Sequence, residues 1–180
     1  MESVKHQIQS IFHLLKGDFV VPKNAYEKEF CRILGWYHFD DRYYDAYNGE
    51  TFIELKKGQG GMHFDMVRYS EIVMGFGRQE TVTVFFRWSK KKKQVEEALV
   101  IDTRRIIQFL KIDRKMAKTY LKIYRHVPRG VNILASATAK DLRSMARYVI
   151  TRADTVQVME YGETCDSSKW PKISLYIYNR

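Results

Sequence analysis

The chain has 180 residues, of which 45% are hydrophobic, 14% aromatic and 29% charged. This length and composition predict one globular domain with a sizeable core, and we expect neither a membrane span nor a signal peptide. The net charge of +10 favours a polyanionic partner, nucleic acid before a membrane surface. Cys31 and Cys165 match no zinc spacing, so we expect small buried thiols and a reducing, cytoplasmic setting.

Hydrophobic spacing predicts two helices at the start of the chain. The first covers residues 3–16, and the second covers residues 25–34, with Asn24 as N-cap and Gly35 as the C-terminal stop. The apolar side of the first helix could be covered by the chain's own core or by a second copy. Residues 1–35 are therefore a candidate contributor to a dimer interface.

Residues 45–56 predict a β-hairpin. Asn48-Gly49 is expected to be its two-residue turn, because both residues tolerate positive φ. In that register Tyr47 pairs with Glu50, and the side chain of Glu50 points to the face of the hairpin opposite that of Glu54. Alternate residues of a strand point to the same face. The face that contains Glu54 therefore carries four side chains: Asp45, Phe52, Glu54 and Lys56.

Asp45 and Glu54 would then be diagonal neighbours, with Cβ atoms roughly 7 Å apart. Two carboxylates at that spacing suit Mg²⁺, which prefers oxygen ligands and activates bound water. Lys56 could hold or deprotonate the water, or contact a phosphate. Asp40 and Asp41 are alternatives to Asp45 as the first metal-binding carboxylate, but the hairpin places Asp45 on the same face as Glu54. An ordinary solvated strand face with a weak ion pair is the alternative.

The centre of the chain predicts a bend, a helix and two strands. Glycines at positions 58, 60 and 61 favour a bend rather than a phosphate-binding loop, because no Walker lysine or Rossmann spacing accompanies them. Ser70 is predicted to cap a short helix over residues 71–76. Strands over residues 81–88 and 95–101 enclose the four-lysine turn Lys90–Lys93, which is typical of a solvated turn although it could touch phosphates.

The remaining chain predicts helices followed by strands. Helices are expected from Thr103 or Arg104 to Leu110 and over Arg114–Tyr124. Thr138 and Asp141 form a capping box that predicts a helix over residues 139–150, and the end of the chain predicts strands over residues 155–159 and 173–178. This order predicts an α/β fold, a mixed β-sheet flanked by helices, in a single domain spanning residues 1–180.

With the hairpin placed, the chain resembles the PD-(D/E)XK nuclease superfamily and, within it, the PvuII-type restriction endonucleases. The resemblance covers roughly residues 27–110 and is carried by short segments: Asp45-Ala46, Glu54-Leu55-Lys56, Glu71-Ile72-Val73-Met74 and Phe85-Phe86-Arg87. Pro171-Lys172-Ile173 is similar to a further family element. The proline that precedes the first acid in the family is missing, and residues 111–165 have no counterpart.

The resemblance implies a restriction-endonuclease-like fold and a homodimer that wraps duplex DNA and cuts both strands at a short palindrome. It implies Mg²⁺ as cofactor, with Mn²⁺ able to substitute. Asp45 and Glu54 would be metal ligands, with the Leu55 carbonyl as a possible third, and Lys56 would position or activate the attacking water.

The resemblance also suggests DNA contacts, although each candidate could equally be an ordinary surface residue. His63 lies in the segment where the family places major-groove histidines, and Arg68 could contact a phosphate or a guanine. The complete candidate set is His63, Arg68, Ser167, Ser168 and Lys169. Glu27 and Glu29 on the second helix are candidates for an accessory acid.

Three functions are therefore weighed. The first is a type II-like restriction endonuclease. The second is a structure-specific DNA nuclease, a Holliday junction resolvase or a repair nuclease, which would prefer branched or damaged DNA. The third is a basic nucleic-acid-binding protein without catalysis, in which the acidic pair is only surface charge.

Overall fold

The computed structural model describes residues 1–12, 15, 26–77, 81–128 and 131–151, and the backbone of residues 157–158 and 175–179. Six helices lie in this part of the chain: α1 (Glu2–Ile11), α2 (Tyr26–Leu34), α3 (Met66–Val73), α4 (Thr103–Phe109), α5 (Arg114–Tyr124) and α6 (Ala139–Met145). Ten strands accompany them: β1 (Tyr37–His38), β2 (Ala46–Tyr47), β3 (Phe52–Gly58), β4 (Met62–Asp65), β5 (Thr81–Ser89), β6 (Gln94–Asp102), β7 (Val131–Ala137), β8 (Ala146–Thr151), β9 (Gln157–Val158) and β10 (Leu175–Asn179).

The described strands form two sheets. The larger sheet has the order β1-β2-β3-β5-β6-β8-β9, and the smaller has the order β10-β7-β4. β3 and β5 are parallel, whereas the other described neighbours are antiparallel. The predicted mixed α/β class is therefore confirmed.

The large sheet separates two apolar clusters, because successive side chains of each strand point to opposite faces. On one face α1 and α2 pack against the sheet, and the ring of Phe30 stacks on that of Phe86 with centroids 4.2 Å apart. On the other face lie α3, α4, α5, α6 and the small sheet. Val4 and Ile8 of α1 are fully buried within a single chain, so its own core covers the apolar side of this helix.

Local end signals were good predictors. Gly35 has φ +68° directly after α2, as expected of a glycine stop, while Asn24 lies outside the described residues. The bounds of α5 are those predicted. The capping box of α6 is also confirmed, since the Asp141 N–H donates to Thr138 Oγ1 and the Thr138 N–H donates to Asp141 Oδ2. The helix of α1 ends at Ile11, before the predicted residue 16.

The helix predicted over residues 71–76 is wrong in position. α3 begins at Met66, because the carboxylate of Asp65 accepts the N–H groups of Val67 at 2.9 Å and Arg68 at 3.4 Å. The predicted cap, Ser70, lies inside the helix and donates its hydroxyl to the Met66 carbonyl at 2.6 Å.

The helix predicted over residues 139–150 is also wrong in its second half. α6 ends at Met145, and residues 146–151 form β8, which pairs with β6. The run Tyr148-Val149-Ile150-Thr151 is rich in aromatic and β-branched side chains, which favour a strand once a partner is present. β4 and β7 were not predicted. β9 falls within the strand expected over residues 155–159, and β10 overlaps the strand expected over residues 173–178 but ends one residue later, at Asn179.

Candidate active site

The β2–β3 hairpin is present, but its register differs from the prediction by two residues. Tyr47 pairs with Phe52 rather than with Glu50. The turn therefore contains residues 48–51, closed by the Asn48 side chain, whose Oδ1 accepts two backbone N–H groups of the turn. A shift of two residues keeps each side chain on its face, since the side-chain period of a strand is two. The predicted grouping of acids is therefore preserved.

Asp45 lies beside Glu54 at the open end of this hairpin. Its backbone N–H donates to the Ile53 carbonyl at 2.8 Å, and its Oδ2 accepts the Leu55 N–H at 2.7 Å. Asp45 thus bonds to the residues on both sides of Glu54. Burial and the negative charge of Glu54 raise the pKa of Asp45 to about 7, against the opposing effects of Lys56 and the Leu55 N–H.

Glu54 is only 5% exposed and is neutralised by two cations. The Lys56 ammonium and the Arg68 guanidinium, the latter at 2.6 Å, both pair with Oε1 of Glu54. Burial opposes the charge of Lys56, but Glu54 and Asp45 outweigh it and raise the pKa of this lysine. Lys56 is therefore held as a cation.

Arg68 crosses from α3 to the acidic pair and is 8% exposed. Its Nη2 donates to the Tyr43 carbonyl, which anchors the guanidinium. Its Nε is buried and finds no hydrogen-bond partner among the described residues. A buried donor without a hydrogen-bond partner costs free energy of folding. This donor belongs to the guanidinium that pairs with Glu54.

Helix α2 reaches the site through Tyr26. The Tyr26 hydroxyl donates to the Leu55 carbonyl at 3.0 Å, and burial raises the pKa of this hydroxyl, which keeps it protonated. The charge of Glu27 contributes to the raised pKa of Asp45. Glu29 instead pairs with Arg32 at 2.5 Å on the same helix. Of the two predicted accessory acids, Glu27 therefore influences a candidate metal ligand, whereas Glu29 is paired on its own helix.

A cleft of about 730 Å³ opens between β3 and the small sheet. Four basic side chains belong to residues that line it: Arg42, Lys56, Lys57 and Arg68. Two acids also line it, Glu54 and Asp65, whereas Asp45 does not. The cleft therefore brings one of the candidate ligands and the candidate lysine to a predominantly basic wall.

The small sheet supplies the facing wall. His63 of β4 lines the cleft, is exposed, and has its Nδ1 2.8 Å from Ser136 Oγ of β7. Gly61 permits the close approach of the chain before β4 to the end of β7 within the small sheet, because a Cβ there would lie 2.1 Å from the Ala137 carbonyl oxygen. The bend predicted at the glycines thus has a packing role.

The structure brings together most of the predicted site residues. Asp45, Glu54, Leu55 and Lys56 form one cluster, and His63 and Arg68 border the same cleft. Ser167, Ser168 and Lys169 lie outside the described residues. Asp40 and Asp41 are exposed in the loop before β2, where Asp41 accepts the Tyr43 N–H at 2.7 Å.

Sequence reasoning missed Arg42, Lys57 and Tyr26. Arg42 pairs with Glu71 at 2.6 Å while lining the cleft. Lys57 lies over the rings of Tyr26 and Trp88, at 4.9 and 5.8 Å from their centroids. No sequence signal identified Arg42 or Tyr26, because each acts through a partner 29 residues away in the chain, Glu71 for Arg42 and the Leu55 carbonyl for Tyr26.

The donor atoms fit a hard cation. Asp45, Glu54 and the Leu55 carbonyl supply only oxygens, and burial together with the nearby charge of Glu54 raises the pKa of Asp45. Within the described residues, no three His, Cys, Asp or Glu side chains are grouped to hold a metal ion by themselves. Mg²⁺ suits such a sparse set, since it retains several waters and shares phosphate oxygens.

Comparisons with protein-family models, with curated proteins and with solved structures found no match to this chain. In the part of the chain that the structure describes, no helix has the length and apolar character needed to cross a membrane.

Proposed function

We propose that the protein is a Mg²⁺-dependent endonuclease that hydrolyses phosphodiester bonds of double-stranded DNA. The observation that carries the proposal is the placement of Asp45 beside Glu54 at a basic cleft, with the half-buried Lys56 and the buried Arg68 as counter-charges. The resemblance of the hairpin to PvuII-type restriction endonucleases gives the proposal its specific form. In that form the protein is a type II-like restriction endonuclease that acts as a homodimer on a short palindrome.

Asp45, Glu54 and the Leu55 carbonyl would hold the cation. When bound, Mg²⁺ would supply Lewis-acid chemistry, neutralising charge on the phosphodiester and lowering the pKa of a coordinated water. Burial and the charge of Glu54 raise the pKa of Asp45 to about 7, and a cation bound beside these two carboxylates would favour the ionised form of Asp45.

Lys56 acts as a fixed cation in this proposal. Its raised pKa makes it a poor base at neutral pH, so we assign it to hold the attacking water or to contact the scissile phosphate rather than to remove a proton. Arg68 orients Glu54 through their ion pair. Its unsatisfied Nε would gain a partner if a phosphate oxygen or a water entered the cluster.

The opposite wall offers base contacts. His63 is exposed on β4 with its Nδ1 2.8 Å from Ser136 Oγ, and its Nε2 could donate to or accept from a base edge in the major groove. Arg42 would add a phosphate contact at the same cleft. On this view the large sheet supplies the hydrolytic residues and the small sheet supplies recognition.

The test is incubation of the purified protein with a mixed-sequence linear duplex in Mg²⁺, in Mn²⁺ and in EDTA. Glu54→Gln and Lys56→Ala should abolish cleavage and leave DNA binding largely intact. Glu50→Gln, in the hairpin turn, and Lys28→Ala, exposed on α2, are matched controls and should cut as the wild type does.

Discrete metal-dependent fragments that require Glu54 and Lys56 would support the restriction form of the proposal. Cleavage of four-way junctions alone would replace it with a resolvase. Metal-independent binding without cleavage of linear or branched DNA would overturn the enzymatic assignment. Equal cleavage by wild type, Glu54→Gln and Lys56→Ala would place the reaction elsewhere in the chain.

A further inference from the structure

The helix α5 concentrates the positive charge of the chain. Residues 111–125 contain six lysines and arginines and a single acid, Asp113, so this stretch carries +5 of the chain's net charge of +10. Asp113 is engaged as the N-cap of the helix, accepting the Met116 N–H at 2.7 Å. The six basic side chains are all exposed: Lys111, Arg114, Lys115, Lys118, Lys122 and Arg125.

The basic side chains of the helix form a stripe. At 3.6 residues per turn, Arg114, Lys118 and Lys122 lie above one another at intervals of four residues, rising about 6 Å at each step. Lys115 and Arg125 fall within the same sector of about 100°. We call the five residues the α5 basic stripe. None of them forms an ion pair with another described residue.

Another side of α5 packs against the rest of the protein. Ala117 is fully buried, and Tyr120 and Leu121 pack against the same core as α3. α3 is the principal neighbour of α5 and carries Arg68, which lines the cleft. The stripe thus lies on the outer side of a helix that is separated from the cleft by one other helix.

We propose that the α5 basic stripe is a second binding surface for the phosphate backbone of a nucleic-acid duplex, outside the cleft. Regularly spaced, unpaired cations complement the regular charge of a duplex, which carries one negative charge per about 1.7 Å of its axis. An anionic membrane fits less well. α5 leaves Met116, Ile123 and Tyr124 partly exposed, but Ala117, Tyr120 and Leu121 pack against the protein core, so the helix cannot insert its whole apolar side as an amphipathic membrane helix does. The proposal rests on the proposed function for the choice of DNA as the duplex.

The experiment measures binding without catalysis. Fluorescence anisotropy with a labelled 30-base-pair duplex in EDTA compares the wild type with the triple variant Arg114→Gln, Lys118→Gln, Lys122→Gln over a series of salt concentrations. Glutamine keeps helix propensity close to that of lysine and arginine. The matched control, Lys90→Gln, Lys91→Gln, Lys93→Gln, removes the same charge from the turn between β5 and β6.

Three lost phosphate contacts should reduce the slope of log K against log salt by about 2.7 and weaken binding at least ~10-fold at 100 mM salt. The control should change the slope by less than about 1. Equal losses in both triple variants would overturn the proposal in favour of net charge alone. An unchanged slope in the α5 variant would also overturn it, as would α5-dependent binding to phosphatidylglycerol vesicles with unaltered duplex binding.

The two proposals can fail separately. A protein that cuts DNA in Mg²⁺ but binds equally well without the stripe refutes the stripe and retains the endonuclease. A protein that never cuts, yet loses duplex affinity only when the stripe is neutralised, refutes the endonuclease and retains the stripe.

Discussion

Replacing Asp45 by asparagine should stabilise the protein while abolishing cleavage. The pKa of Asp45 is raised from 3.8 to about 7, which corresponds to about 4 kcal/mol at 1.4 kcal/mol per unit. This value is an upper bound on the gain in the free energy of unfolding, because solvent reaches part of the half-buried carboxylate. We expect a gain of about 2 kcal/mol at pH 8. Asparagine retains an oxygen that can accept the Leu55 N–H.

The pH dependence follows from proton linkage. Between pH 4 and 7 the folded protein retains the Asp45 proton that the unfolded chain has lost, so the free energy of unfolding of the wild type falls as pH rises. Asp45→Asn lacks this dependence. The stability difference between variant and wild type should be near zero at pH 4, grow up to about pH 7, and stay constant above it.

The assay is urea denaturation in EDTA at half-unit pH steps from 4 to 8, with Asp40→Asn as the control for loss of an exposed acid. A stability difference that does not vary with pH, or a variant less stable than the wild type at pH 8, would contradict a raised pKa at Asp45. Mg²⁺ at pH 8 should narrow the stability difference between Asp45→Asn and the wild type, because Mg²⁺ that binds to the native state stabilises the wild type selectively.

Three further predictions test the surroundings of the site. Arg68→Met leaves Glu54 with one counter-charge and should cost about 3 kcal/mol of unfolding free energy; a loss below about 1 kcal/mol in urea denaturation would contradict the buried pair. Thr138→Ala removes an N-cap and should cost about 1 kcal/mol, whereas Thr138→Ser should be nearly neutral in the same assay. Burial raises the pKa of Cys31 to about 12. In a Cys165→Ser background, this thiol should therefore react with Ellman's reagent at pH 8 only as the protein unfolds, and immediate reaction would be the contrary result.

The features that were predicted best from the sequence are those that depend on residues close together in the chain. The bounds of α5 and the capping box of Thr138 and Asp141 depend on residues a few positions apart. The grouping of Asp45 with Glu54 was predicted for a related reason. It depends only on the two-residue period of a strand, and that period survived an error of two residues in the register.

The sequence predicted worst those features that distant partners determine. Residues 146–151 became a strand because β6 offers an edge with which to pair, and residues 131–137 became a strand between two others. The roles of Arg42 and Tyr26 have the same origin. Each reaches the site across a sequence separation that no local pattern encodes, so their contributions became visible only with the fold.

The burial of Val4 and Ile8, together with the hydrogen bond from Tyr26 to the Leu55 carbonyl, has a practical consequence for handling this protein. The first two helices cannot be trimmed as a detachable oligomerisation arm. Deleting residues 1–35 would strip the apolar covering from one side of the central sheet and remove the hydroxyl that supports the backbone between Glu54 and Lys56. A truncated chain is therefore a poor choice for expression, and an affinity tag should be joined to the intact N-terminus through a flexible spacer.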